Sequence, residues 1–355
     1  MAYTLAELAE LVGGTVAGNQ NPAIYGAAPL HHAGEGDVTF LAQLEKISQL
    51  AQCKAAAVVV PRALVADPRF AALVKPMIQA DDVVFAFETI VRHFSPPREQ
   101  NKREIHPEAI IAPTAVLGED VSIAPYAVIE KDAIIGDRVI ISAGVKIMAG
   151  CKIGGDTMIF PNAVLYENTV VGERCIIHAC AVLGAYGFGY DSSQGIHVLS
   201  QQLGNTVLGN DVEVGACSTI DRGTYSPTLI GDGTKIDNLV MVAHNCRIGK
   251  HNLICAGTGI AGSSTTDDYV VMAGRVGVRD HVHIGKGAVL GAMAGVISNV
   301  PDGARVVGIP ATPEKEQMRM QVAKAKLPEM RQEMKKLTAA VAELQQKLAR
   351  LENGE

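Results

Sequence analysis

An apolar residue recurs at every sixth position from Ile105 onward, and nothing else in the chain restricts its fold so strongly. Stepping by six from Ile105 through Ile111, Leu117 and Ile123 to Leu183 meets only Ile, Leu or Val. Four residues after each of these sits only Ala, Val, Cys, Thr or Gly. The phase resumes at Leu208, Val214 and Ile220, skips four residues, and runs from Ile230 to Val296 with Thr266 as its one polar member. A helix needs spacings of three and four, and a half-buried strand alternates every second residue, so a strict six excludes both. It predicts a parallel β-helix over residues 105–301, in which each hexad makes one short strand and a bend. Three hexads close a triangular coil of eighteen residues, with the aliphatic residue inside and a small residue filling the space beside it. About ten coils at a strand spacing of ~4.8 Å make a prism on the order of 45 Å long. The spacing leaves the hand of the coil open.

The flanks read differently. Thr4-Leu5-Ala6-Glu7 is a capping box that opens a short helix with Leu5, Leu8 and Leu11 on one face, stopped by Gly13-Gly14. Ala55 to Val60 reads as a buried strand ended by Pro61, Val83 to Phe94 as a helix, and Ser95-Pro96-Pro97 as a linker. Residues 1–100 therefore form a small α/β domain, 101–312 the β-helix, and 313–355 a helical segment. In that segment Leu327, Met330, Met334, Leu337, Val341, Leu344, Leu348 and Leu351 make an a/d seam for self-association, and Pro328 suits a first helical turn. A triangular prism packing side by side most naturally makes a homotrimer. Arg319, Lys324, Lys326, Arg331, Lys335 and Lys336 could dock an acidic partner or simply solvate the helix.

A net charge of −6 without a basic stripe argues against nucleic acid as a partner. The seven cysteines lack metal-type spacing, and most serve as small fillers of the repeat, which suggests a reducing compartment. Neither a signal sequence nor a run of eighteen apolar residues is present, so a cytoplasmic protein without an integral membrane segment is expected.

An aliphatic interior leaves chemistry to the outer faces. His244 is the leading candidate there, because Gly262 lies eighteen residues later with no phase break between and so one coil above it. A candidate base beside an unobstructed backbone N–H is what acyl transfer needs, although Gly262 could equally just make a bend. His281 falls two coils above His244 and one position along, where it could line the same cleft. Asp237 lies on a neighbouring face, so it could orient His244 only from another subunit. The interruption from Gly189 to Val207, with His197 in it, reads either as a cleft-covering loop or as decoration.

Gly187-Phe188-Gly189-Tyr190, Val212-Glu213-Val214-Gly215-Ala216, Thr219-Ile220-Asp221-Arg222-Gly223, Lys235-Ile236-Asp237-Asn238, Ala243-His244-Asn245 and Gly308-Ile309-Pro310-Ala311 together closely resemble the UDP-3-O-acylglucosamine N-acyltransferases of lipid A biosynthesis. The resemblance covers nearly the whole chain. It implies a left-handed coil and transfer of a 3-hydroxyacyl group from acyl carrier protein to the 2-amine of UDP-3-O-(3-hydroxyacyl)-glucosamine. It further implies a cytoplasmic homotrimer in a Gram-negative bacterium, its product destined for the outer membrane. Carried over, the catalytic base falls on His244, the second histidine on His281, the oxyanion glycine on Gly262 and the acidic partner on Asp237. A uridine-stacking aromatic falls on Phe40 of a nucleotide-binding N-terminal domain, and Asn245 and His197 fall on the substrate side. Two positions depart from the family pattern: Lys46 stands where a second nucleotide-side aromatic is usual, and His197-Val198-Leu199-Ser200-Gln201 where Trp-x-Lys-x-Pro is usual. An imidazole titrating near 6.5 can take the amine proton, and no metal or cofactor is required.

Three other readings compete. An O-acyltransferase acting on UDP-N-acetylglucosamine would use the same helix and a similar histidine. A metal-dependent carbonic anhydrase of this fold needs histidines five apart on one coil, whereas His281 and His283 are two apart. A purely structural solenoid would need no base and glycine in stacked register.

Overall fold

The computed structural model describes residues 2–65, 67, 75–95, 104–308 and 313–352, and the chain divides into two compact units, Met1–Asn101 and Lys102–Glu355. The expected linker residues Pro96-Pro97 and the Ile309-Pro310-Ala311 match lie outside the described residues, as does the side chain of Leu351.

In the first unit the capping box forms, with Thr4 and Glu7 exchanging side-chain and backbone hydrogen bonds at the start of the helix Leu5–Leu11. Leu5 and Leu8 are buried but Leu11, expected on the same face, is exposed at the last turn. A five-stranded sheet runs in the order Thr15–Ala17, Met77–Ala80, Ala57–Pro61, Asp37–Phe40, Gly26–Ala27. The first pair is antiparallel and the other three are parallel. The helix Val83–Phe94 has the bounds its pattern predicts, capped by Asp82, which accepts from the Phe85 N–H.

The second unit is the β-helix, with three parallel sheets of ten, ten and nine strands as its walls. The first wall runs from Ser122–Ile123 to Arg305–Val306, the second from Ile110–Ile111 to Gly295–Val296, and the third from Val116–Leu117 to His283–Ile284. Each strand pairs with the one a coil away, as Ile129 with Ile147 and Ile147 with Leu165, so the aliphatic position stacks on itself through the core. The small position also holds the coils together. Thr157, Thr234, Ser218 and Ser264 each donate a buried hydroxyl to a carbonyl of the following coil, at 2.7–3.0 Å. Cys151 and Cys246 use their thiols in the same way, and burial pushes both thiols up to about 12. Thr266, the polar member of the series, points inward because Asn252, itself fully buried, donates to its hydroxyl at 2.6 Å.

The C-terminal helix spans Glu314–Glu352. Pro328, expected in its first turn, therefore sits well inside it. The helix begins earlier than its apolar seam because Glu314 to Lys326 is made almost entirely of strong helix formers. Every seam residue from Leu327 to Leu348 is exposed in the single chain.

Candidate active site

Both breaks in the hexad phase fall at one edge of the prism, the second corner, where the chain passes from the second wall to the third. His244 lies at that corner, between the strands Met241–Val242 and Arg247–Ile248. The longer break is not shapeless: Tyr190–Asp191 and Val198–Leu199 pair as an antiparallel hairpin. The shorter one, at 222–227, folds back against the hairpin's return, with the Leu203 and Gly204 N–H groups donating to Thr224 O.

The predicted register holds. Ile260 pairs with Val242, and the Ser263 N–H donates to His244 O at 2.9 Å, so Gly262 stands one coil above His244. A Cβ on Gly262 would lie 2.6 Å from His244 Cε1 and 2.8 Å from Nε2. Gly262 has no positive φ, so a bend does not require glycine there; the imidazole does. Its N–H has no acceptor among the described residues, whereas the N–H at the same hexad position in Ala216 and in Ala256 is taken by a side chain.

A second glycine lies against the ring, and sequence reasoning quoted it only as part of a motif. A Cβ on Gly187 would lie 2.5 Å from His244 Cβ and 2.9 Å from Cδ2. Gly187 is held there by Gln202, 7% exposed, whose amide accepts from the Gly187 N–H and donates to its carbonyl, both at 2.7 Å. Gln202 carried no sequence signal, since its partner is reached only through the hairpin.

Asn245 sets the state of the ring. Its Oδ1 accepts from the Thr224 N–H at 3.1 Å and the Thr224 hydroxyl at 2.9 Å, and lies 3.0 Å from His244 Nδ1. A backbone N–H can only donate, so the atom facing it is the amide oxygen, and His244 Nδ1 must carry the proton toward that oxygen. Nε2 is left with the free lone pair on the side where Gly262 opens. This arrangement suits a general base beside an oxyanion donor.

The other candidates are dispersed. His281 stands at the same corner above Gly262, to whose carbonyl its N–H donates at 3.2 Å, but its ring is exposed and pairs with Asp280 at 3.0 Å. Asp237 lies at the first corner, between the first and second walls, and its carboxylate accepts from the N–H groups of Asn238 and Ala256 at 2.7 and 3.0 Å. His197 is on the hairpin, where it bonds the Ser192 hydroxyl at 2.8 Å and lines a cavity of about 680 Å³ with Phe188, Tyr190 and Ser192. In the first unit, Phe40 packs against Phe87 with ring centroids 4.6 Å apart and the rings tilted by 33°, and lines a cleft of about 280 Å³ whose wall includes His31, Gln43 and Lys46.

The family model of UDP-3-O-(3-hydroxymyristoyl) glucosamine N-acyltransferase, LpxD, matches residues 21–93. That of the bacterial transferase hexapeptide (six repeats) matches residues 114–149, 150–185 and 227–262. A UDP-3-O-acylglucosamine N-acyltransferase of Rhodopirellula baltica is 45% identical over 323 residues, covering 91% of this chain and 83% of that protein. UDP-3-O-acylglucosamine N-acyltransferase 1 of Legionella pneumophila (strain Paris) is 42% identical over 260 residues, 73% of this chain and 72% of that protein. Among solved structures, a UDP-N-acetylglucosamine acyltransferase from Campylobacter jejuni aligns over 63% of this chain and 84% of its own, at 22% identity and a TM-score of 0.46.

Proposed function

The chain belongs to the family of UDP-3-O-acylglucosamine N-acyltransferases, and on that premise we propose how the second corner carries out the transfer. The enzyme N-acylates UDP-3-O-acylglucosamine in lipid A synthesis, with a 3-hydroxyacyl thioester of acyl carrier protein as donor. The observation that carries the mechanism is the free Nε2 of His244 facing the open side of Gly262. His244 Nε2 takes a proton from the 2-amine as its nitrogen attacks the thioester carbonyl. The Gly262 N–H receives the developing oxyanion, the C–N bond forms, the C–S bond breaks, and His244 returns the proton to the leaving thiolate. Asn245 is the positioning residue that keeps Nδ1 protonated throughout.

Phe40 offers a stacking face to the uracil, with Lys46 in the same cleft to meet phosphate charge. His281 and His197 flank the acceptor and donor sides of the corner. Asp237 reaches the site from a neighbouring copy, because its own corner is a different one. A homotrimer supplies that neighbour, and the exposed apolar seam of the C-terminal helix supports such an assembly. Seven free cysteines support a cytoplasmic enzyme, and no helix among the described residues is long and apolar enough to cross a membrane.

The test is acyl transfer from a ladder of 3-hydroxyacyl carrier-protein donors to UDP-3-O-acylglucosamine and, in parallel, to UDP-N-acetylglucosamine. Amide product on the amine acceptor is expected. Ester product on the hydroxyl acceptor alone would reassign the enzyme as an O-acyltransferase.

A further inference from the structure

Among the described residues at the second corner, Asp221 is an ionisable group that this chemistry leaves unused and that no side chain pairs with. Asp221 ends the strand Thr219–Asp221, one coil below Ala243, since Ile220 pairs with Val242. Ala185, where the long excursion leaves the wall, is the register partner of Asp221. Gly187, two residues on, already touches His244 in the coil above. Asp221 therefore lies beneath the contact between the excursion and the imidazole. Its main chain is held on both sides: Thr206 Oγ1 donates to its carbonyl at 3.2 Å, and the Arg222 N–H donates to Ala185 O at 2.8 Å.

The carboxylate itself is half-buried and accepts no hydrogen bond from a described residue. Several acids elsewhere on the prism are engaged: Asp137 caps the Glu119 N–H, and Asp156 and Asp211 are gripped by arginines. Burial pushes the Asp221 carboxyl up to about 6, and the neighbouring charge of His244 pulls it back down.

We propose that Asp221 is the counter-ion of His244, a positioning residue whose carboxylate stabilises the imidazolium formed when His244 accepts the amine proton. Asp221 takes no proton in the step; the charge separation exists only while His244 holds one. The remaining charged and titratable groups around the pair are otherwise committed. Arg222 turns its guanidinium to Gly184 O and to Glu167, over the ring of Tyr186. The Cys246 thiol is kept protonated by burial, and His281 in the coil above is paired with Asp280.

The proposal rests on His244 acting as the base, and the experiment separates the two. The full-length enzyme is compared with D221N and D221E for its pH–rate profile, and the His244 ring is titrated by NMR, its signal identified by loss in H244A. Removing the negative charge makes the imidazolium easier to deprotonate, so in D221N the acid limb and the ring titration both move to lower pH, by about one unit. The rate at neutral pH falls on the order of tenfold, the KM for the sugar nucleotide stays as it was, and D221E recovers most of the rate. An unmoved ring titration in D221N overturns the proposal whatever the rate does. Should D221N not fold, the wild-type ring decides: two inflections, one of them from a coupled carboxyl, support the pairing, and a single one overturns it. A shifted titration combined with an active H244A would leave the counter-ion standing and remove the base assignment.

Discussion

The third corner, where the chain passes from the third wall back to the first, and the second corner solve the same geometric problem in opposite ways. At the third, glycines stack coil upon coil so closely that a Cβ on Gly154 or Gly231 would lie within 2.6 Å of the next coil's backbone. Side chains one coil on cap the bend N–H groups, as Asp137 caps Glu119, Asp232 caps Asn210 and Asp268 caps Lys250. Arginines close the outside on Asp156 and Asp211. Polar groups there are spent on the fold, and exposed ion pairs of this kind add little each. The second corner breaks the repeat twice and, among the described residues, leaves a free N–H at Gly262, a free lone pair on His244 and an unbonded carboxylate on Asp221. Regular coils spend their polar groups on the prism, and in the proposed mechanism the interrupted corner keeps its own for the substrate.

The same substitution should therefore read out differently at the two corners. Gly262→Ala pushes a methyl into the His244 ring, so kcat is expected to fall by about 10² to 10³ with little change in melting temperature. Gly231→Ala meets backbone at 2.6 Å and should cost about 1–3 kcal/mol of stability while the folded fraction turns over normally. Equal activity losses from both would erase the distinction.

Gln202→Ala sharpens it within the second corner. Both groups of the Gly187 peptide that Gln202 holds lose a partner, which should cost about 1–3 kcal/mol locally. A rate loss of about tenfold and faster amide exchange confined to the excursion are the expected signs.

The smallest effect concerns stability alone. The Asp221 carboxyl titrates at about 6 in the folded chain against an ordinary 3.8, so between those values the folded form holds a proton that the unfolded form has released. Stability then falls as pH rises through that window. D221N lacks this cost and should be more stable than wild type at pH 7, by roughly 1 kcal/mol after allowance for solvent screening. The advantage should vanish at pH 4 in parallel melts.

How much of this the sequence discloses depends on whether counting survives. Ile105 to Leu183 is a fold written as a spacing, and Gly262 above His244 follows because no break lies between them. Gly187 and Asp221 are hidden for the same reason. From Gly187 to His244 the count crosses both interruptions, and from Asp221 it crosses the shorter one. Gln202 reaches its partner through a hairpin whose turn no period describes. Pro328 lies inside the helix and not in its first turn, because a seam marks where a helix is sticky, not where it starts; the helix begins at Glu314, in a run of strong helix formers.

The account stands most directly on one number, the rate of acyl transfer by His244→Ala in the assembled, folded enzyme with saturating acceptor and carrier-protein donor. A fall of about 10² to 10⁴ with unchanged sugar-nucleotide binding is the predicted result. A rate equal to wild type would contradict it and move the chemistry away from the second corner.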